Sequence, residues 1–103
     1  MQEILSLLKE RFSKVKLDVY EEREYIFIDK KPLILVSNGK CYVKIHDNVI
    51  AILPDAEVGY PYEGARLHYI VDFTDMDTVE LVLRELWAVT LMKKKGLFPF
   101  KKA

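Results

Sequence analysis

"PLILVSNGKCYVKIH", residues 32–46, decides the architecture. Two apolar runs rich in β-branched and aromatic residues flank Asn38-Gly39, and both of those residues tolerate the positive φ that a type I′ turn requires. A two-residue loop there sets Ser37 against Lys40, Val36 against Cys41 and Ile34 against Val43. Asp47-Asn48 offers a second, weaker hairpin turn before "VIAIL", setting Ile45 against Ile50 and Val43 against Ile52. Opposed residues share a face. One side of the sheet then holds Ile34, Val36, Cys41, Val43, Ile45, Ile50 and Ile52, which is a core floor. The other holds Leu33, Leu35, Tyr42, Lys44, His46, Val49, Ala51 and Leu53, a mixture better suited to a covering loop or a partner subunit than to bulk water.

The pattern extends in both directions. "VKLDVY" (15–20) alternates with a period of two and "EYIFID" (24–29) is a short apolar run, so both read as strands of an antiparallel meander. Residues 2–15 instead place Ile4, Leu5, Leu8, Phe12 and Val15 at spacings of three and four, which predicts an amphipathic helix with Glu10 and Lys14 paired at i, i+4. Residues 54–65 form a Pro-, Gly- and Tyr-rich connection whose Tyr60, Pro61 and Tyr62 suit an apolar surface with one wet side. Alternation resumes over 66–73, with Leu67, Tyr69, Val71 and Phe73 on one face and Arg66, His68, Ile70 and Asp72 on the other.

"TDMD" (74–77) starts a helix, with Thr74 as cap and acids at the positive end of the dipole. The pattern carries that helix to Lys95, with Gly96 as the stop. Val79, Val82, Leu83, Leu86 and Val89 make its inner stripe, and Leu81, Trp87, Ala88, Leu91 and Met92 widen the apolar arc beyond what one sheet face needs. The fold class is therefore α+β: an N-terminal helix, an antiparallel β-meander of five to six strands and a C-terminal helix packed on one sheet face. Length makes residues 1–103 a single domain, of which 93–103 are a basic helix end and tail.

Composition narrows the function classes. Sixteen basic and sixteen acidic residues balance, so no global field draws the chain to nucleic acid or membrane. No apolar run approaches the ~18 residues of a membrane span, and the start lacks a signal-peptide core. A soluble, cytoplasmic protein is expected. One Gln, two Asn and one Cys beside abundant Lys, Glu and Ile resemble a thermophile's usage. The single Cys41 excludes an internal disulfide and, mid-strand on the apolar face, reads as core.

No phosphate-binding glycine pattern or nucleophile elbow is present. Gly59 and Gly64 enclose "YPYE", with no lysine-serine pair after them. The acids Asp55, Glu57 and Glu63 read as solvated loop charges. If strand 66–73 joins the sheet, Tyr42, Lys44, His46, Arg66, His68 and Asp72 can share its reverse face. That set combines an acid-base group, anion-binding cations and a carboxylate, as a small-ligand or metal-dependent enzyme would require. An ordinary polar outer face accounts for the same residues. The tail "KKKGLFPFKKA" (93–103) is the nucleic-acid alternative: Lys93, Lys94, Lys95, Lys101 and Lys102 for phosphates, Phe98 and Phe100 for stacking. The leading expectation is a non-enzymatic binding protein without cofactor. It acts as a homodimer that meets its partner through the sheet's reverse face or the Trp87/Leu91 side of the last helix.

Overall fold

Three hairpins in succession build most of the sheet, each closed by two residues in the left-handed region. The computed structural model describes residues 1–91 of the chain. Glu21-Glu22 joins β1 (Val15–Tyr20) to β2 (Arg23–Ile28), Asp29-Lys30 joins β2 to β3 (Lys31–Ser37), and Asn38-Gly39 joins β3 to β4 (Lys40–Lys44). All six turn residues have positive φ, from 43° at Asp29 to 77° at Gly39. The third turn gives the expected register, Ser37 against Lys40 and Val36 against Cys41. Its two predecessors carry no glycine, and their left-handed backbone is imposed by the strands they connect.

The next element differs from the hairpin expected at Asp47-Asn48. Those residues open a one-turn helix, α2 (Asp47–Ile50), instead of reversing the chain into a strand. His46 caps it, its Nδ1 accepting from the Asn48 amide at 3.1 Å. Val49 is driven fully into the core, while Ile45 and Ile50 are left exposed. The proposed pairing of Ile45 with Ile50 and of Val43 with Ile52 therefore does not form. β4 pairs instead with β6 (His68–Ile70), Val43 opposing Tyr69, and β5 (Val58–Gly59) adds a two-residue edge beyond β6. The sheet order is β1-β2-β3-β4-β6-β5, antiparallel throughout.

One sheet face carries Ile26, Ile28, Ile34, Cys41, Val43 and Tyr69 into the core. Over it pack Leu8 of α1 (Gln2–Lys9), Val49 of α2, and Val79, Val82, Leu83 and Leu86 of α3 (Met76–Val89). α1 ends six residues short of the expected Val15, so Glu10 and Lys14 do not share a helix, although Phe12 still packs against the core. Leu33 also departs from its expected face. A bulge between Ile26 and Phe27 pairs these residues with Ile34 and Pro32. Leu33 is skipped by the ladder and joins the core. Pro32, which has no amide to donate, sits where the ladder is already broken.

Asp75, not Thr74, caps α3, accepting from the Thr78 amide at 3.2 Å and the Thr78 hydroxyl at 2.6 Å. Thr74 donates instead to Asp72 from both its amide and its hydroxyl. The helix ends at Val89, before the expected stop at Gly96, because Thr90 turns extended while its hydroxyl donates to the Leu86 carbonyl. The lysines at 93–95 lie outside the described residues.

The reverse face is closed in part by the 60–64 loop. Ser37 donates to the Pro61 carbonyl at 2.6 Å, Arg23 lies 3.3 Å from the centre of the Tyr62 ring, and Pro61 is buried. Tyr60 alone of the expected trio points to solvent. Beside this loop Tyr20 meets Tyr25 and Phe27 edge-on. At the β1 edge of the sheet, the Tyr20–Arg23 closure turns the Val19 amide away from β2. Asp18 occupies that amide with its own carboxylate, at 2.8 Å. Among the described residues, no helix is long and apolar enough to cross a membrane.

Candidate functional site

The β4–β6 ladder brings together three of the six residues expected to share a site. Tyr42 opposes Ile70 and Lys44 opposes His68, so Tyr42, Lys44 and His68 share the reverse face. The Tyr42 and His68 rings meet edge-on with centroids 6.4 Å apart. His68 is oriented from behind. Its Nδ1–H donates to the Arg66 carbonyl at 2.7 Å, and Nε2 has no hydrogen-bond partner among the described residues. The space in front, shared with Tyr25, Leu35 and Thr90, is only about 30 Å³, room for about one water. Gly59 contributes to this tightness: a Cβ there would lie 3.2 Å from the Ile70 side chain and 3.6 Å from the Tyr42 ring.

The other three residues are elsewhere. β6 is shorter than the expected 66–73 strand, so Arg66 and Asp72 lie outside the ladder. Arg66 offers its carbonyl to His68, and Asp72 accepts from Thr74. His46 has left the sheet to cap α2. Among the described residues no three of His, Cys, Asp or Glu converge in a way that could hold a metal ion. Cys41 is sealed in the core, where desolvation pushes its thiol up to about 11. The basic-aromatic tail residues Lys93, Lys94, Lys95, Phe98, Phe100, Lys101 and Lys102 lie outside the described residues.

The larger cavity is on the core side of the sheet. A cleft of about 600 Å³ opens between α3 and the segment from Ile52 to Glu57. Val43, Ile52, Val71, Val79, Val82 and Leu83 line its floor. Four carboxylates also line it: Asp55 and Glu57 from the connection before β5, Asp72 and Asp75 from the β6–α3 turn. Among the described residues, no Lys, Arg or His lines it.

These acids are not equivalent. Hydrogen bonds from the Thr74 hydroxyl and amide hold the Asp72 carboxyl below the usual carboxylate range, and the Thr78 hydroxyl and amide do the same for Asp75. Both are therefore committed to the turn and helix start they stabilise. Asp55 and Glu57 form no ion pair and accept no side-chain hydrogen bond among the described residues, so they are the pair available to an incoming cation. They lie far in sequence from Asp72 and Asp75, and no local motif joins the two pairs. The signal available was a regional charge count. Residues 54–77 hold six acids and one arginine.

A third hollow, of about 500 Å³, lies under Trp87 and Phe12 beside Arg11, Lys14 and Arg84. Its cations are largely answered from within. Arg11 bonds Asp77 and Glu80, and Arg84 bonds Glu80 while lying over the Phe12 ring. No family model matches the chain, and the search of curated proteins finds no relative in sequence.

Proposed function

We propose that this protein is a non-enzymatic binding module whose ligand seat is the acid-rimmed cleft beside the amino-terminal half of α3. The ligand class is a basic segment with apolar side chains. One observation carries the reading: among the described residues, an apolar floor meets four carboxylates with no basic side chain in the lining. The volume falls in the range of ligand pockets. Burying one Leu or Phe side chain on such a floor contributes about 1.5–3 kcal/mol, whereas each ion pair at an exposed rim contributes about 0.2–1 kcal/mol. Apolar contact therefore supplies affinity, and the acids select which segment enters.

The test is a titration of the isotope-labelled chain with the synthetic peptide Lys-Lys-Leu-Phe-Leu-Lys-Lys, followed by amide shifts. Shifts centred on Ala56, Val71, Thr78 and Val79 are expected. They should be absent with a peptide carrying Glu in place of Lys, and lost in the double variant Asp55→Lys, Glu57→Lys. That variant leaves the bonds of Asp72 and Asp75 in place. Equal binding of the acidic peptide, or shifts confined to the Tyr42/His68 face, would remove the reading.

The same module is proposed to act as a homodimer, with the outward face of α3 as the contact. Leu81 and Ala88 are exposed there, and Leu91, just past the end of the helix, is 91% accessible. Sedimentation at micromolar concentration should give twice the chain mass, and a clean monomer would defeat the proposal.

A further inference from the structure

Three segments far apart in the chain meet around the hollow under Trp87. They are the connection from Arg11 to Lys14, the Ile28-Asp29 step at the end of β2, and α3 at Arg84 and Trp87, which share a helix face. Three hydrogen bonds join them. The Asp29 amide donates to the Lys14 carbonyl at 2.8 Å, the Trp87 indole N–H to the Asp29 carbonyl at 3.2 Å, and Arg84 to the Arg11 carbonyl at 3.5 Å. The hollow is therefore a built space of about 500 Å³, within the range of small-molecule pockets.

Its lining sorts into three chemistries. Trp87 and Phe12 supply aromatic surface; Lys31, which lies over the indole, is not in the lining, so the hollow meets another part of that ring. Arg11, Lys14 and Arg84 supply cations. Asp77 and Glu80 answer the two arginines, but they engage only Nη1 of Arg11 and Nε and Nη2 of Arg84. Nε and Nη2 of Arg11, Nη1 of Arg84 and the Lys14 ammonium have no partner among the described residues. Asp29 and Ser13 supply oxygens, and the Asp29 carboxylate also has no partner among the described residues. A carboxylate only accepts hydrogen bonds and repels a second anion. The ligand that satisfies all of these groups carries a flat ring, hydrogen-bond donors and an anion on one frame.

We propose that this hollow is a binding site for a nucleoside monophosphate. The base lies against Trp87 and Phe12, the phosphate takes Lys14 and the unengaged arginine N–H groups, and the donors of base and ribose meet Asp29 and Ser13. Stacking on aromatic side chains contributes affinity whichever base is present. Charge-assisted bonds from Lys14 and the arginines fix the phosphate end. The hollow shares no lining residue with the acid-rimmed cleft, and its assignment does not depend on what the cleft binds.

Trp87 is the chain's single tryptophan, so its indole N–H gives one signal in the spectrum of the isotope-labelled full chain. Titration with adenosine monophosphate should move that signal saturably, together with the amides of Lys14 and Asp29. Adenosine alone and inorganic phosphate alone should each bind on the order of tenfold more weakly, because each offers only part of the ligand. Lys14→Glu breaks no side-chain bond among the described residues. It should weaken adenosine monophosphate on the order of fivefold and leave adenosine unchanged. An indole signal that does not move would overturn the proposal, as would equal affinity for the monophosphate in Lys14→Glu. So would inorganic phosphate or adenosine binding as tightly as the monophosphate, or a response to a single-stranded oligonucleotide with none to the mononucleotide.

Discussion

Lys31 lies over the Trp87 indole, its Nζ 3.7 Å from the ring centre, and donates to the Trp87 carbonyl at 2.8 Å. The indole N–H reaches the Asp29 carbonyl at 3.2 Å, so the second hairpin is fastened to the last turn of α3 at two points. The clasp joins the most local part of the sheet to the helix that covers it. Lys31→Met keeps the stem and removes the charge, and should lower stability by about 1 kcal/mol. Lys31→Arg should lose less. Urea midpoints of the two variants check this, with an unchanged midpoint for Lys31→Met as the refuting result.

The left-handed turns make an opposite prediction. Glu22 and Lys30 hold φ of 68° and 75° with side chains that disfavour it. Lys30→Gly relieves that strain at some cost in chain entropy, so a net gain on the order of 0.5–1 kcal/mol is expected. Gly39→Ala, at φ 77° with open space around it, should lose a similar amount for the converse reason. Thermal melting of both variants tests the pair.

Acid should weaken the start of α3 first. Asp75 and Asp72 have carboxyls lowered by their threonine donors, and Glu80 is lowered by Arg84 and then Arg11. A carboxyl lowered in the folded state contributes stability that is complete above the unfolded value, near 4. That contribution is lost as pH falls through the folded value. Melting temperature should therefore decline below about pH 4, and Asp75→Asn should flatten that decline. An unchanged acid limb in Asp75→Asn would contradict this role.

Cys41 should be silent to thiol reagents at pH 8, where its thiol, pushed up to about 11, remains protonated and enclosed. Labelling should follow the rate of unfolding and not reagent concentration. A fast, concentration-dependent reaction in the native state would show that the core face is open.

Much of the fold was legible because the decisive features are local. Asn38-Gly39 specifies its own turn, and Val79, Val82, Leu83 and Leu86 specify a buried stripe. The failures share a cause. Asp47-Asn48 suits a turn and a helix start equally, and the choice lies with Val49, which tertiary packing draws into the core. Glu21-Glu22 has no turn chemistry of its own, and only the strands on either side compel it. The expected site divided for the same reason. Tyr42, Lys44 and His68 follow from strand pairing, whereas His46, Arg66 and Asp72 are claimed by local backbone bonds. The cleft assembles Asp55, Glu57, Asp72 and Asp75 across a chain closure that no spacing rule encodes.

The small bond from the Val19 amide to Asp18 has a consequence for crowded conditions. A free six-residue sheet edge is a template on which another chain's strand can nucleate. Here the carboxylate already holds one of the outward amides, and Asp18 is lowered first by that amide and then by Lys16. The guard is thus electrically armed: complete above the ordinary carboxylate range and released as protonation sets in below it. Protonation of Asp18 would free one outward amide of this edge for another strand.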